Sequence, residues 1–331
     1  MRRARPFFGA LIASLLLVSA ACTTRQPSPR AKPRDSASAG GTVTATPYLR
    51  RLRVRQLAWR LPGPLAREAV IKERALHVVV AGGLVGADSS TATAYALDLR
   101  NGRTHALGSL AVPVHDTAGA ELGGRELVIG GGNASEQAVV QTRGRNGWRV
   151  TGRLPSARSD LSAVVLAGRV LVLGGYDGTS PALADVLAGD GRHWKVVGRL
   201  PVPVRYTAVA VSHGAVWLFG GERNGTMVDS VQRVDPGSGH ARVVARLPRP
   251  LGHAGAVPFG GRILVVGGRV SADVATDRMW WFDPGTGRFT RAGRLPTPLA
   301  DAGLVVDGSS AWLLGGETPA ETDRVVELSE R

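Results

Sequence analysis

Cysteine is almost absent from this chain of 331 residues, which contains only Cys22. Since a disulfide needs two thiols, none can form within the chain, and the fold must depend on packing and backbone hydrogen bonds. Patterns of long amphipathic helices are also missing, whereas 44 glycines and 20 prolines indicate many turns. Together these features predict an all-β structure.

Motifs for metal binding and nucleophilic catalysis are missing as well. The seven histidines show no HxxxH or HExxH spacing, and no Gly-x-Ser-x-Gly segment occurs. Such spacings place two ligands on one helix face, or a nucleophilic serine on a strained turn. The sequence therefore predicts no metal site, no cofactor and no catalytic residue, and it favours binding over catalysis.

Acidic residues are nearly absent from the first 55 positions, where Asp35 stands against eleven arginines and lysines. This segment accounts for +10 of the formal net charge of +15. The remaining 276 residues carry 30 basic and 25 acidic side chains. A nucleic-acid-binding domain is expected to carry its basic patch on the folded part of the chain. We therefore expect no nucleic-acid partner.

The N-terminus has the features of an export signal. Arg2, Arg3 and Arg5 precede an apolar run from Phe7 to Ala21. Fifteen residues are too few to cross a membrane comfortably and are typical of a cleaved signal peptide. We expect residues 1–21 to be removed on export.

Cys22 follows the small residues Ser19-Ala20-Ala21, an arrangement that resembles a bacterial lipobox. The resemblance implies that Cys22 is lipidated and anchors the protein on the outer side of the cytoplasmic membrane. A lipobox usually has leucine where this chain has Ser19, so cleavage without lipidation, giving a secreted protein, stays open. Residues 22–47 are rich in Pro, Ser, Thr, Gly and Ala and are expected to form a disordered tether.

The rest of the chain is repetitive. An apolar run that ends in Gly-Gly occurs six times, and the second glycines lie 44–48 residues apart. These second glycines are Gly83, Gly131, Gly175, Gly221, Gly268 and Gly316. Such apolar runs predict a strand buried on both faces, and the glycines allow a sharp turn where a Cβ would collide. Turn dipeptides and recurring Leu-Pro pairs divide each repeat into four strands.

The final repeat lacks a fourth strand, whereas Arg53–Pro62 before the first repeat has the pattern of one, including Leu-Pro. We expect this segment to pair with the C-terminal strand and close a ring. Four strands in every 45–50 residues, with Gly-Gly and spaced aromatics, resemble kelch repeats. The resemblance implies that residues 48–331 form a six-bladed β-propeller of kelch-like four-stranded blades, closed by an N-terminal strand and monomeric.

Counting fourteen residues back from each first glycine identifies one position per repeat. These positions hold Glu68, Asp116, Asp160, Tyr206, His253 and Asp301. One residue earlier come Arg67 and Arg205, and Arg158 lies two before Asp160. In this class of propeller such residues are expected to surround one mouth of the central channel. They either cap local backbone N–H groups or form a polar face for a carbohydrate, a peptide or a cation such as Ca²⁺.

Two functions follow from the resemblance. The first is a surface-anchored binding or scaffold module for a protein, peptide or carbohydrate. The second is a sugar-handling enzyme that resembles sialate epimerases and uses Arg205 and Tyr206 with His253 or Glu68 for proton transfer. Copper enzymes similar to galactose oxidase are excluded, because their cofactor needs a cysteine in the folded domain.

Overall fold

The computed structural model describes residues 52–86 and 88–330, which form six four-stranded antiparallel sheets. The first strand of each sheet packs against the first strands of its two neighbours, so that six first strands surround a central channel. The described chain is a six-bladed β-propeller, as the repeats predict. Within it, no helix is long and apolar enough to cross a membrane. The predicted signal peptide, Cys22 and the tether lie outside the described residues.

The first three blades follow one another along the chain, with their strands in sequence order. Blade 1 comprises Ala69–Arg74, His77–Ala81, Thr93–Asp98 and Thr104–Ser109. Blade 2 comprises Ala118–Leu122, Arg125–Ile129, Val139–Gly144 and Gly147–Arg153. Blade 3 comprises Ser162–Leu166, Arg169–Leu173, Asp185–Gly189 and Trp194–Arg199.

The last three blades repeat this order, except that blade 6 borrows its outer strand from the N-terminus. Blade 4 comprises Ala208–Ser212, Ala215–Phe219, Ser230–Val234 and Ala241–Arg246. Blade 5 comprises Gly255–Phe259, Arg262–Val266, Arg278–Asp283 and Arg288–Arg294. Blade 6 comprises Gly303–Asp307, Ser310–Leu314, Val325–Glu330 and Leu52–Gln56. Short two-strand ribbons, Leu84–Val85 with Ser89–Ser90, Glu222–Arg223 with Thr226–Met227, and Arg269–Ser271 with Val274–Ala275, follow three of the Gly-Gly pairs.

The core lies between neighbouring blades. The second strands are buried on both faces, as their continuous apolar sequence predicts. The aromatic residues of the fourth strands pack into these layers: Trp148 between blades 1 and 2, Trp194 between blades 2 and 3, and Phe289 between blades 4 and 5. Burial of these apolar layers is the main stabilising contribution to a fold without disulfides.

Each Gly-Gly pair adopts a backbone conformation that other residues avoid, with φ of 60–68° at the first glycine and 92–115° at the second. The pairs also lie against the loop that enters the next blade. A Cβ on Gly130 would lie 2.6 Å from the carbonyl oxygen of Arg158. Both the turn and the close approach therefore require glycine.

Leu52–Gln56 pairs antiparallel with Val325–Glu330, with Leu52 opposite Glu330 and Gln56 opposite Val326. The predicted ring closure is confirmed. Both ends of the described chain thus lie in one blade, which joins the last repeat to the first.

Candidate functional site

Six residues with positive φ surround one end of the channel, one at the entrance to each first strand. We call them the mouth ring: Arg67, Asp116, Asp160, Tyr206, His253 and Asp301. Their φ angles of 50–59° lie in the left-handed region, which costs free energy for residues other than glycine. Because strained backbone concentrates at functional sites, the ring is a candidate site on conformational grounds.

The blade 1 member of this ring differs from the expected one, because Arg67 occupies the position predicted for Glu68. The hairpin between the first two strands of blade 1 contains a β-bulge, in which Lys72 pairs with Val78 and Arg74 with His77. Because Glu73 is an extra residue in this hairpin, the ring residue of blade 1 lies fifteen residues before the first glycine of its Gly-Gly pair instead of fourteen. A fixed spacing of fourteen residues therefore misassigned this position.

The backbone joins the ring members directly. In five of the six blades, the backbone N–H of the ring residue donates to the carbonyl oxygen of the ring residue in the preceding blade, at 2.9–3.1 Å. The donors are Asp160, Tyr206, His253, Asp301 and Arg67. Left-handed backbone at these five positions turns the N–H toward the neighbouring blade, and the hydrogen bonds connect the six ring residues from Asp116 round to Arg67.

Ring side chains line a cavity of about 130 Å³. Four carboxyl groups, those of Glu68, Asp116, Asp160 and Asp301, contribute to its wall, together with the cationic Arg67 and His253. Thr117, Ser162 and Thr207 add hydroxyl groups, which the sequence analysis missed. The sequence could have indicated these hydroxyl groups, because each follows the predicted ring residue by one or two positions.

His253 is the most tightly held member of the ring. Its Nδ1 lies 2.7 Å from Asp301 Oδ1, its Nε2 lies 3.2 Å from Glu222 Oε2, and its ring stacks on Tyr206 at 3.9 Å between centroids. Burial opposes a charged imidazole, but the two carboxylates outweigh it and raise the pKa of His253 to about 9. His253 is therefore an imidazolium ion at neutral pH, with both N–H groups donating.

An outer layer of ion pairs holds the arginines in place. Arg67 Nε donates to Glu317 at 2.6 Å, and Arg67 Nη1 reaches Asp116 at 3.3 Å. Arg205 bridges Glu222 and Asp160, at 3.3 Å from the latter. Hydrogen bonds from His253 and Arg205 hold the pKa of Glu222 at about 2 despite its burial. This layer fixes the ring side chains rather than leaving them to solvent.

Glu222 and Glu317 occupy equivalent positions immediately after the Gly-Gly pairs. Arg269 shares this position in blade 5, where it pairs with both Asp301 and Glu317. The residue after Gly-Gly forms a β-bridge to the residue before the ring member in every blade, as Glu222 does with Arg205. This bridge holds the charged side chains of the outer layer, those of Glu222, Arg269 and Glu317, beside the ring.

Glu68 is buried beside the ring, with 7% of its surface exposed. Its Oε1 accepts the N–H of Gly303 at 3.1 Å, whereas its Oε2 is shielded from solvent and has no hydrogen-bond partner among the described residues. Burial raises the pKa of Glu68 to about 8, so the carboxyl group is mostly protonated at neutral pH.

Asp116 and Asp160 also resist ionisation. Burial raises the pKa of both, and the nearby carboxyl group of Asp116 helps to raise that of Asp160 to about 7. Asp301 differs, because His253 and two arginines outweigh burial and lower its pKa. Of the four carboxyl groups in the cavity wall, three thus have a raised pKa and one has a lowered pKa.

Arg158 lies away from the cavity. Its guanidinium is 1% exposed and donates to the carbonyl oxygen of Gly174 at 3.2 Å and to Ser156 at 3.0 Å. Burial lowers its pKa. The structure therefore makes Arg158 a support of the Gly-Gly turn in blade 3, not a member of the mouth as predicted.

Within residues 52–86 and 88–330, no group of three or more His, Asp or Glu side chains has a geometry that could hold a metal ion. The carboxyl groups of the ring are instead engaged by arginine, histidine and tyrosine. The Ca²⁺-type interpretation of the ring acids thus has no support from the geometry of the described residues.

Residues 250–296 match the family model of the kelch motif. Kelch repeat and BTB domain-containing protein 13 of Homo sapiens is 31% identical over 138 residues, which cover 40% of this chain and 30% of the human protein. Beta-scruin of Limulus polyphemus is 27% identical over 133 residues, covering 38% of this chain and 14% of that protein. The matches thus span less than a third of either relative.

A solved structure described as the structure of YjhT superimposes with a TM-score of 0.71 at 18% sequence identity. The similarity covers 81% of this chain and 95% of the other. At this identity the likeness shows a shared fold.

Proposed function

Because the chain is a kelch-repeat β-propeller, we propose that it is a binding or scaffold module for a protein, peptide or carbohydrate ligand, held outside the cytoplasmic membrane by a lipid on Cys22. Kelch propellers commonly serve as protein-binding or scaffold modules. A fold of this kind hosts many functions, so the ligand has to be argued from the site.

The observation that carries the proposal is the group of buried carboxyl residues in the wall of the cavity, Glu68, Asp116 and Asp160. Four carboxyl groups line this cavity against two cations, Arg67 and His253. A positively charged donor would favour ionisation of Asp116 and Asp160, whose pKa values are raised, and would pair with the carboxylates that form. The side chain of lysine or arginine in a protein or peptide has this chemistry, and we infer that it enters the mouth ring.

The state of His253 supports binding rather than proton transfer. A general base must be able to accept a proton at the working pH. His253 holds both of its protons between Asp301 and Glu222, with a pKa of about 9. The histidine thus orients its neighbours instead of abstracting a proton at neutral pH.

Peptide and glycan arrays test the proposal. We expect the purified protein to bind peptides with a central lysine and to bind their acetyl-lysine counterparts more weakly, because acetylation removes the charge. Asp160→Asn should weaken binding about tenfold or more. Asp277→Asn is the matched control, since Asp277 pairs with Arg294 on the exposed outer edge of blade 5.

Each outcome of the arrays decides a part of the proposal. Glycan binding that is lost in Asp160→Asn would keep the mouth ring as the ligand face and overturn the basic group as its ligand. Binding that is equal in Asp160→Asn and Asp277→Asn would overturn the face itself.

A further inference from the structure

A second cleft lies between blades 4 and 5, among the hairpins at the end of the propeller away from the mouth ring. Its volume is about 470 Å³, within the range of small-molecule sites. The hairpin residue His213, the strand residues Arg233 and Arg242, and the turn Pro284–Gly287 line it over a floor that includes Trp217. Within residues 52–86 and 88–330, no acidic residue contributes to its lining.

The two arginines of this cleft lie directly opposite each other. Arg233 on the third strand of blade 4 pairs with Arg242 on the fourth strand in the antiparallel register. Directly opposed side chains have Cβ atoms about 4.5–5.5 Å apart, and like charges in this arrangement destabilise a sheet. An anion bound between them would remove this cost.

The same cross-strand position in the other blades shows that the arrangement is particular to blade 4. In blade 6 the equivalent pair is Glu327 with Arg55, joined by a salt bridge of 2.5 Å. In blades 2 and 3 a single cation faces Thr142 or Ala188. At this position, blade 4 is the only described blade with two cations opposite each other. Arg278 and Arg294 also face each other in blade 5, but at another position, where Arg294 forms a salt bridge with Asp277.

A cleft between blades 6 and 1 provides an internal comparison. Trp312 lines it as Trp217 lines the first, but Glu327 and Asp307 line it too. Their partners are Arg55 and Lys72, at 2.5 and 2.9 Å. In that cleft the chain supplies the anions that the cleft of blades 4 and 5 lacks.

The carboxylates of Asp235 and Asp283, in two turns near the cleft, accept hydrogen bonds from the backbone of their own turns. Asp235 Oδ1 accepts the N–H groups of Gly237 and Ser238, although the field of Arg233 helps to lower its pKa. Asp283 Oδ1 accepts the N–H groups of Gly285 and Thr286 in the facing turn. Neither lies within ion-pair distance of Arg233 or Arg242, since the described residues include no salt bridge for either arginine.

The floor of the cleft is aromatic. Trp217 packs on Phe282 at 5.3 Å between ring centroids, and its indole N–H donates to the carbonyl oxygen of Ser212 at 3.1 Å. The guanidinium of Arg233 lies over the indole, 5.9 Å from its centroid. Trp217 is only 5% exposed and Phe282 is fully buried, so the half-buried Val244 and Pro284 present the apolar surface that a flat group can contact while its charge meets the arginines.

We propose that this cleft binds a carboxylate carried on a flat apolar body. The carboxylate accepts hydrogen bonds from Arg233 and Arg242, which present the planar donors that match it. The apolar body lies against Val244 and the Pro284–Gly287 turn. This site is independent of the mouth ring and of its ligand.

Titration with benzoate, followed by NMR or calorimetry, tests the site, with benzamide as the uncharged counterpart. We expect saturable binding of benzoate and no measurable binding of benzamide. Arg233→Gln and Arg242→Gln should each weaken benzoate about tenfold or more. Arg55→Gln in blade 6 is the matched control and should leave benzoate binding unchanged.

Thermal unfolding without ligand distinguishes a variant that has lost the binding site from one that has a folding defect. Relief of the like-charge contact should leave Arg242→Gln as stable as the original chain, or more stable. Absence of benzoate binding would overturn the site. Equal binding of benzoate by the original chain and both cleft variants, or an equal loss in Arg55→Gln, would overturn it as well.

Discussion

The hydroxyl of Tyr206 in blade 4 donates a hydrogen bond to Asp116 Oδ2 in blade 2, at 3.1 Å across the mouth of the channel. Arg67 Nη1 in blade 1 reaches the same hydroxyl oxygen at 3.4 Å. Blades that do not touch in the ring are thus joined through side chains at its centre.

Tyr206→Phe should therefore destabilise the protein by about 1–2 kcal/mol, because Asp116 loses a donor while it stays buried. Chemical denaturation measures the change. Tyr95→Phe is the matched control, since the buried Tyr95 hydroxyl has no hydrogen-bond partner in the described part of the chain and its removal should cost nothing. An equal loss in both variants would contradict a stabilising bond across the mouth.

The carboxyl group of Glu68 should make stability fall with rising pH. Its pKa rises from 4.5 in the unfolded chain to about 8 in the folded one. Between these values the folded state holds a proton that the unfolded state has released, so each pH unit lowers the free energy of unfolding. His253 acts in the same direction between 6.5 and about 9, since its stabilising charge is lost as the pH rises.

Glu68→Gln removes the Glu68 contribution and keeps the shape of the protonated group. Urea unfolding at pH 5 and pH 8 should show the original chain losing on the order of 2–4 kcal/mol more than this variant. Parallel pH profiles for the two proteins would contradict the protonated carboxyl group.

Closure of the ring by the N-terminal strand predicts a cooperative effect of breaking it. The N–H of Leu57, directly after this strand, donates to the carbonyl oxygen of Val325 at 2.8 Å, and Leu57→Pro removes this donor and distorts the strand end. We expect a loss on the order of 3 kcal/mol in a single unfolding transition. Val274→Pro, in a two-residue loop strand whose side chain is 51% exposed, should cost much less. Equal losses would show that closure is not critical.

The lipid anchor predicts a change of cell fraction. Cys22→Ser removes the only thiol in the chain, to which a lipid would be attached. In a bacterial host we expect the original protein to take up labelled palmitate and to sediment with membranes, and the variant to do neither. Palmitate labelling that is unaffected by Cys22→Ser would contradict lipidation at this residue.

The sequence predicts the blades, the closing strand and five of the six ring positions, because these depend on patterns that repeat. It misplaces the sixth because Glu73 forms a bulge that no composition signal marks. The pairing of His253 with Asp301 and Glu222 was also out of reach. These residues are 48 and 31 positions apart in the chain, and only the folded ring brings them together.

Proton release on binding tests most directly whether a cationic group enters the mouth ring. A cation beside Glu68 and Asp160 lowers their pKa values from about 8 and about 7, so protons must leave at pH 7. Calorimetric titration of a lysine peptide, in two buffers with different ionisation enthalpies, counts these protons. We expect net release by the original chain and less by Glu68→Gln. Binding with no proton release, or with equal release by both proteins, would contradict the account.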